Sequence, residues 1–128
     1  MPAYDTELFD PPAPLARVTL RNPENGADLS NVLMLLDTGA DVTLIPQACL
    51  EPLGAIVIPN KYYELEGFEG STSLSAVVRL ELSFLGRIFR GQFLLGDQEW
   101  GVMGRNIMNT VSLLLNGPRL VWNEHRLQ

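Results

Sequence analysis

The chain has 128 residues, 46% of them hydrophobic, which suits a single domain with one core and not a disordered chain. Nine basic residues stand against fifteen acidic ones, for a formal net charge of −6. That balance argues against nucleic acid or an anionic membrane as the main partner, since both select basic patches.

Residues 1–14 are acidic and carry Pro2, Pro11, Pro12 and Pro14. Proline lacks a backbone donor and resists sheet and helix interiors. This segment is expected to be an extended or loosely attached arm ahead of one domain over 15–128. Residues 17–21 place Val18 and Leu20 on one face of a strand. Pro23-Glu24-Asn25-Gly26 is a turn. Residues 31–36 are apolar on both faces and predict a buried strand. Val42-Thr43-Leu44-Ile45 predicts a short apolar strand stopped by Pro46, with a helical turn or two over 47–53. Tyr62-Tyr63-Glu64-Leu65-Glu66 and the stretch from Ser71 flank Gly67-Phe68-Glu69-Gly70, the pattern of a hairpin with a glycine-bounded tip.

From 77 to 84 the chain alternates steadily, with Val78, Leu80, Leu82 and Phe84 sharing a face. Leu85-Gly86-Arg87 turns it, and 88–95 returns. Gly101-Val102-Met103-Gly104 predicts a short strand, and 105–110 a helix. Residues 112–115 and 119–122, joined by Asn116-Gly117-Pro118, predict a last hairpin. Many short strands with little helix point to a closed or sandwiched β fold.

One segment carries chemistry: Leu35-Leu36-Asp37-Thr38-Gly39-Ala40-Asp41-Val42-Thr43-Leu44-Ile45. Asp37 directly follows a doubly apolar strand, where partial desolvation makes a carboxylate a candidate acid or base. Gly39 permits a tight backbone behind it, and the Thr38 hydroxyl can bond nearby backbone groups. Downstream comes Val102-Met103-Gly104-Arg105-Asn106-Ile107-Met108, with the glycine-bounded hairpin between the two motifs.

This order resembles the retropepsins, the single-domain aspartic proteases of retroviruses and related cellular and bacterial proteins. Those run from an apolar strand into Asp-Thr-Gly-Ala, through a glycine-rich flap, to an apolar pair with Gly-Arg-Asn or Gly-Arg-Asp opening a helix. The resemblance covers roughly residues 16–122. It departs at the flap tip, where Phe68 and Glu69 stand in place of small or aliphatic residues and glycine.

The resemblance implies a mainly β, retropepsin-like closed barrel with a flap hairpin and one short C-terminal helix. It implies an aspartic endopeptidase acting on peptide or protein substrates, with Asp37, Thr38 and Gly39 catalytic. Ala40, Asp41, Gly67, Phe68, Glu69 and Gly70 would meet substrate. Gly104, Arg105 and Asn106 would support the site, with Asp41 paired to Arg105. The chain contains one Asp-Thr-Gly, so the second carboxylate of such a site must come from elsewhere, and a homodimer supplies it. The proline-rich arm and the long C-terminal region imply a dimer edge built mostly from the C-terminal hairpin.

No cofactor or metal is required for hydrolysis by activated water. A zinc site is not expected with one His and one Cys. His125 lies in a polar tail, and Cys49 reads as a small buried residue, not a nucleophile. Alanine at 40 cannot donate a hydrogen bond to the active carboxylate as serine or threonine would, so activity is expected to extend toward neutral pH. No apolar run is long enough to span a bilayer, the start lacks the pattern of a signal peptide, and a lone cysteine fits a reducing compartment. A cytoplasmic protein is expected. The competing expectation is a dimeric peptide-binding or scaffold module that keeps this fold and cleaves little.

Overall fold

The alternation between residues 77 and 84 becomes the inner face of the longest strand. Val78, Leu80, Leu82 and Phe84 are all buried there, while Arg79 on the other face is exposed. A computed structural model describes residues 2–66, 70 and 72–126 of the chain. In chain order the strands are β1 (Tyr4–Asp5), β2 (Ala13–Arg21), β3 (Asp28–Leu36) and β4 (Leu44–Pro46). After a 3-10 turn (Gln47–Cys49) and helix α1 (Leu50–Leu53) come β5 (Tyr62–Glu66), β6 (Thr72–Phe84), β7 (Arg87–Gly96) and β8 (Gly101–Met103). Helix α2 (Arg105–Met108), β9 (Leu113–Asn116) and β10 (Val121–Glu124) complete the order.

Eight strands form one sheet in the order β1-β2-β3-β8-β4-β7-β6-β5, and β2 also pairs with β6. That extra pairing, Thr19↔Ser83 to Arg21↔Glu81, brings the sheet back on itself. Strands β2, β3, β8, β4, β7 and β6 therefore make a closed circuit, which leaves no free edge among them. Inside it pack Val18, Leu20, Met34, Ile45, Leu53, Leu80, Leu82 and Met103, all almost fully buried. Burying one such side chain contributes about 1.5–3 kcal/mol. Trp122 from β10 closes one end, its Nε1 donating to the Leu15 carbonyl at 2.9 Å.

The arm is tied down at both sides. Tyr4 and Asp5 pair with Pro14 and Ala13 of β2, which begins one residue before Pro14, and Ala3 bridges Val121. The segment expected to be extended or loosely attached is thus extended and paired at Ala3, Tyr4 and Asp5, where its backbone groups find partners. The helix expected over 105–110 is shorter, ending at Met108, and the last hairpin pairs Leu113–Asn116 with Val121–Glu124, two residues beyond the expected second strand. No helix is long and apolar enough to cross a membrane among the described residues.

Candidate active site

Strand β8 lies between β3 and β4. It runs parallel to β3 through Leu36↔Met103 and antiparallel to β4 through Leu44↔Val102. The chain from 37 to 43 must therefore cross over the end of β8 to pass from one neighbour to the other. Gly104, the first residue after β8, lies under this crossing. A Cβ there would overlap the Val42 backbone, so any other residue would push the loop away.

Asp37 opens the crossing and is half-buried. Its N–H donates to the Met103 carbonyl at 3.1 Å, extending the β3–β8 ladder by one residue. Its carbonyl accepts from the Ala40 N–H at 3.2 Å, which closes a turn. The Gly39 N–H donates to Asp37 Oδ1 at 2.8 Å. A Cβ on Gly39 would stand 3.1 Å from that same oxygen, so glycine keeps the approach open. Thr38 and Gly39 are exposed, so the carboxylate sits beside an accessible strip of backbone.

Two residues after β8 support the loop from below. The Arg105 N–H donates to the Ala40 carbonyl at 2.8 Å, and Arg105 Nη1 donates to the Thr38 carbonyl at 2.7 Å. The expected Asp41–Arg105 ion pair is not formed, since neither residue is in an ion pair among the described residues. The guanidinium instead spends a donor on the loop backbone, and Asp41 is exposed. Asn106 holds the site through Thr43, whose hydroxyl donates to Asn106 Oδ1 at 2.7 Å and accepts the Gly104 N–H at 3.2 Å. Thr43 is 2% exposed, and this pair of bonds ties the far end of the crossing to the start of α2.

The structure thus brings together Asp37, Thr38, Gly39, Ala40, Gly104, Arg105 and Asn106. Sequence reasoning missed the part played by Thr43. Its signal was a hydroxyl inside the otherwise apolar Val42-Thr43-Leu44-Ile45, where a buried polar group must find partners.

Strands β5 and β6 form the expected hairpin, from Tyr62↔Ala76 to Glu66↔Thr72. Gly67, Phe68 and Glu69 lie outside the described residues. Gly70 has φ 75°, a left-handed conformation that suits glycine at a turn. A cleft of about 550 Å³ runs between this hairpin and the ends of β4 and β7. Leu44, Val57, Leu65, Ala76 and Leu95 give it apolar walls, and Asp97 stands at it. Leu44 also pairs with Val102, so one wall of the cleft belongs to the strands that frame the crossing. Another cavity, of about 440 Å³, is lined by the arm with Leu15, Phe84 and Trp122; neither it nor the cleft at the hairpin includes residues 37–43 in its lining.

Cys49 is buried, and burial pushes its thiol above the ordinary value, which suppresses the reactive thiolate. His125 is exposed in the tail. The arrangement at Asp37 offers a single carboxylate held by the Gly39 N–H and the end of β8. One such group can accept or donate a proton, but it cannot do both at once for opposite sides of a bond.

No family model matches the chain. Its structure is similar to that of EIAV protease complexed with the inhibitor HBY-793, with a TM-score of 0.57 and 22% identity, over 77% of this chain and 86% of that one. It is also similar to the foamy viral protease-reverse transcriptase in complex with an RNA/DNA hybrid, with a TM-score of 0.52 and 18% identity. That match covers 89% of this chain and 13% of the other. At such identities the likeness shows the fold: the chain has a retropepsin-like fold.

Proposed function

We propose that this chain is an aspartic endopeptidase that works as a homodimer, the Asp37 carboxylates of two copies meeting on a two-fold axis. The observation that carries this reading is the placement of Asp37. In a retropepsin-like fold it follows a buried strand, is bonded to Met103 and Gly39, and rests on Gly104 and Arg105. A lone carboxylate lacks the partner that peptide hydrolysis needs, and a two-fold axis provides one of identical geometry.

Two carboxyls roughly 3 Å apart cannot both ionise, so they share one proton and titrate as a unit. The ionised member takes a proton from water, and the water oxygen bonds to the scissile carbonyl carbon. The protonated member gives its proton to the carbonyl oxygen, which produces a neutral tetrahedral diol. Transfer of a proton to the amide nitrogen then lets the C–N bond break, leaving a carboxylic acid and an amine. Water is the only co-reactant, so no cofactor or metal enters.

In this reading the Thr38 hydroxyls bond across the axis, and the Gly39 backbone with Ala40 and Asp41 meets the substrate backbone. The hairpin tip at 67–70 closes over bound peptide and excludes water. Gly104, Arg105 and Asn106 hold the loop. Ala40 withholds a hydrogen-bond donor from the carboxyl pair, which supports activity extending toward neutral pH. The lone buried thiol fits a cytoplasmic setting.

The test uses the purified chain and its Asp37→Asn variant with a diverse peptide library, cleavage being read by mass spectrometry across pH. The side-chain oxygen of the introduced asparagine can still accept the Gly39 N–H, so the fold is expected to persist. Cleavage by wild type and none by the variant is the expected result. Equal cleavage by both would remove Asp37 from the chemistry. A folded dimer that cleaves nothing would favour the peptide-binding module.

A further inference from the structure

We infer that Ser75 is a positioning residue that latches the β5–β6 hairpin to the barrel, its hydroxyl taking the place of strand pairing that ends beside it. The inference rests on the endopeptidase reading above and names what controls the hairpin that, in that reading, covers bound peptide.

Strand β6 changes partner along its length. Residues 77–84 pair with β7, and the last of those pairs is Val77↔Leu94. Residues 72–76 pair with β5, from Tyr62↔Ala76 to Glu66↔Thr72. Strand β7 runs on past this split, where Leu95 and Gly96 pair with Ile45 and Pro46 of β4. Leu95 is buried, and on the side that β6 has left its backbone needs other partners. The Ser75 hydroxyl supplies both. Its oxygen accepts the Leu95 N–H at 3.0 Å, and its proton goes to the Leu95 carbonyl at 2.8 Å. The Ala76 carbonyl lies farther from the same oxygen, at 3.1 Å. A hydroxyl carries one donor and can accept as well, which suits this double task.

Burial marks the same point as a boundary. Ser75 is 4% exposed, whereas Thr72, Ser73 and Leu74 are exposed, as are Tyr62, Tyr63, Glu64 and Glu66 of β5. Beyond Ser75 the hairpin stands out from the core with little apolar burial to hold it. That is the profile of an element that opens locally at low cost. Among the described residues no other side-chain hydrogen bond joins 72–76 to the barrel. On the other leg the Lys61 ammonium donates to the Gln92 side-chain carbonyl at an exposed place, where water competes.

The latch lies at the cleft under the hairpin, whose lining includes Ser75, Ala76, Leu95 and Leu44. Leu44 opens β4 directly after Thr43, which ties down the far end of the Asp37 crossing. With the hydroxyl on Leu95, hairpin and crossing are both held against the β4–β7 pair. With it released, the hairpin lifts, and closure over a peptide requires the bonds to form again. Substrate binding therefore draws on the latch, and the chemistry at Asp37 does not.

The test compares wild type with Ser75→Ala and Ser75→Thr by residue-resolved amide hydrogen exchange and by steady-state peptide cleavage. Alanine removes the hydroxyl and threonine keeps it. In the alanine variant the amides of 62–66, 72–76 and Leu95 are expected to exchange roughly ten-fold faster or more, and those of 77–84 to change far less. KM is expected to rise several-fold with kcat changed less than about two-fold, the pattern of lost binding and intact chemistry. Threonine is expected to restore both. Unchanged exchange in the hairpin would overturn the latch. Equal acceleration in the hairpin and in 77–84 would overturn it too, as the mark of a general loss of stability. A fall in kcat at unchanged KM would remove Ser75 from substrate capture. A wild type that cleaves nothing would overturn the endopeptidase reading alone, and the exchange pattern would then decide the latch by itself.

Discussion

At the residue scale, the site depends on two positions that reach Asp37 only through the backbone. Gly104 has no room for a Cβ against Val42, and Thr43 completes the hydrogen bonding of Gly104 and Asn106. The two fail in different ways. Gly104→Ala forces the crossing off β8 and is expected to cost about 3 kcal/mol by overpacking against backbone that cannot yield. Thr43→Val keeps the shape but leaves the buried Gly104 N–H unsatisfied, at about 1–3 kcal/mol. Denaturant unfolding measures both. The cleavage rate should fall further for Gly104→Ala, since the Asp37 loop itself is displaced. Equal stability of Gly104→Ala and wild type would mean that the loop is not seated as described.

At the element scale, the strands most legible in the sequence were those with one clear face. The 77–84 alternation became the inner face of β6, and the 31–36 run became part of β3, though not fully buried as expected: Val32, Met34 and Leu36 are buried, Leu33 and Leu35 half-buried and Asn31 exposed. The two motifs that frame Asp37 and Gly104 were legible because glycine and a carboxylate beside apolar strands are costly unless used. What the sequence did not disclose depends on partners distant in the chain. Tyr4 and Asp5 form a strand only because β2 offers them an edge, and Arg105 turns to the Thr38 carbonyl where an ion pair with Asp41 was expected. The strand pairing that closes the barrel was likewise invisible locally. Across that seam Glu81 of β6 binds Arg21 of β2 at 2.9 Å and Arg90 of β7 at 2.8 Å, each directly opposite it in register. Hydrogen bonds from Arg21 and then Arg90 hold its carboxyl below the ordinary 4.5. A carboxylate so lowered adds stability that is present above its unfolded value and lost as pH falls through its folded one. Glu81→Gln should therefore lower Tm at neutral pH, and the gap to wild type should close as pH drops below 4.5. A gap that stayed constant into acid would contradict the ion-paired seam.

At the scale of the whole molecule, a closed six-strand circuit holds the Asp37 loop, which in the proposed reading carries half of a catalytic pair. The core explains why the loop is fixed, and the missing carboxylate explains why the chain would act as a pair. Mixing equal amounts of wild type and Asp37→Asn, after dissociation and reassociation, tests that claim most directly. If each site needs both Asp37 residues, random pairing lowers cleavage per wild-type chain to about half, because mixed dimers are inactive. Cleavage per wild-type chain that is unchanged by the variant would show that one Asp37 suffices and would contradict the account.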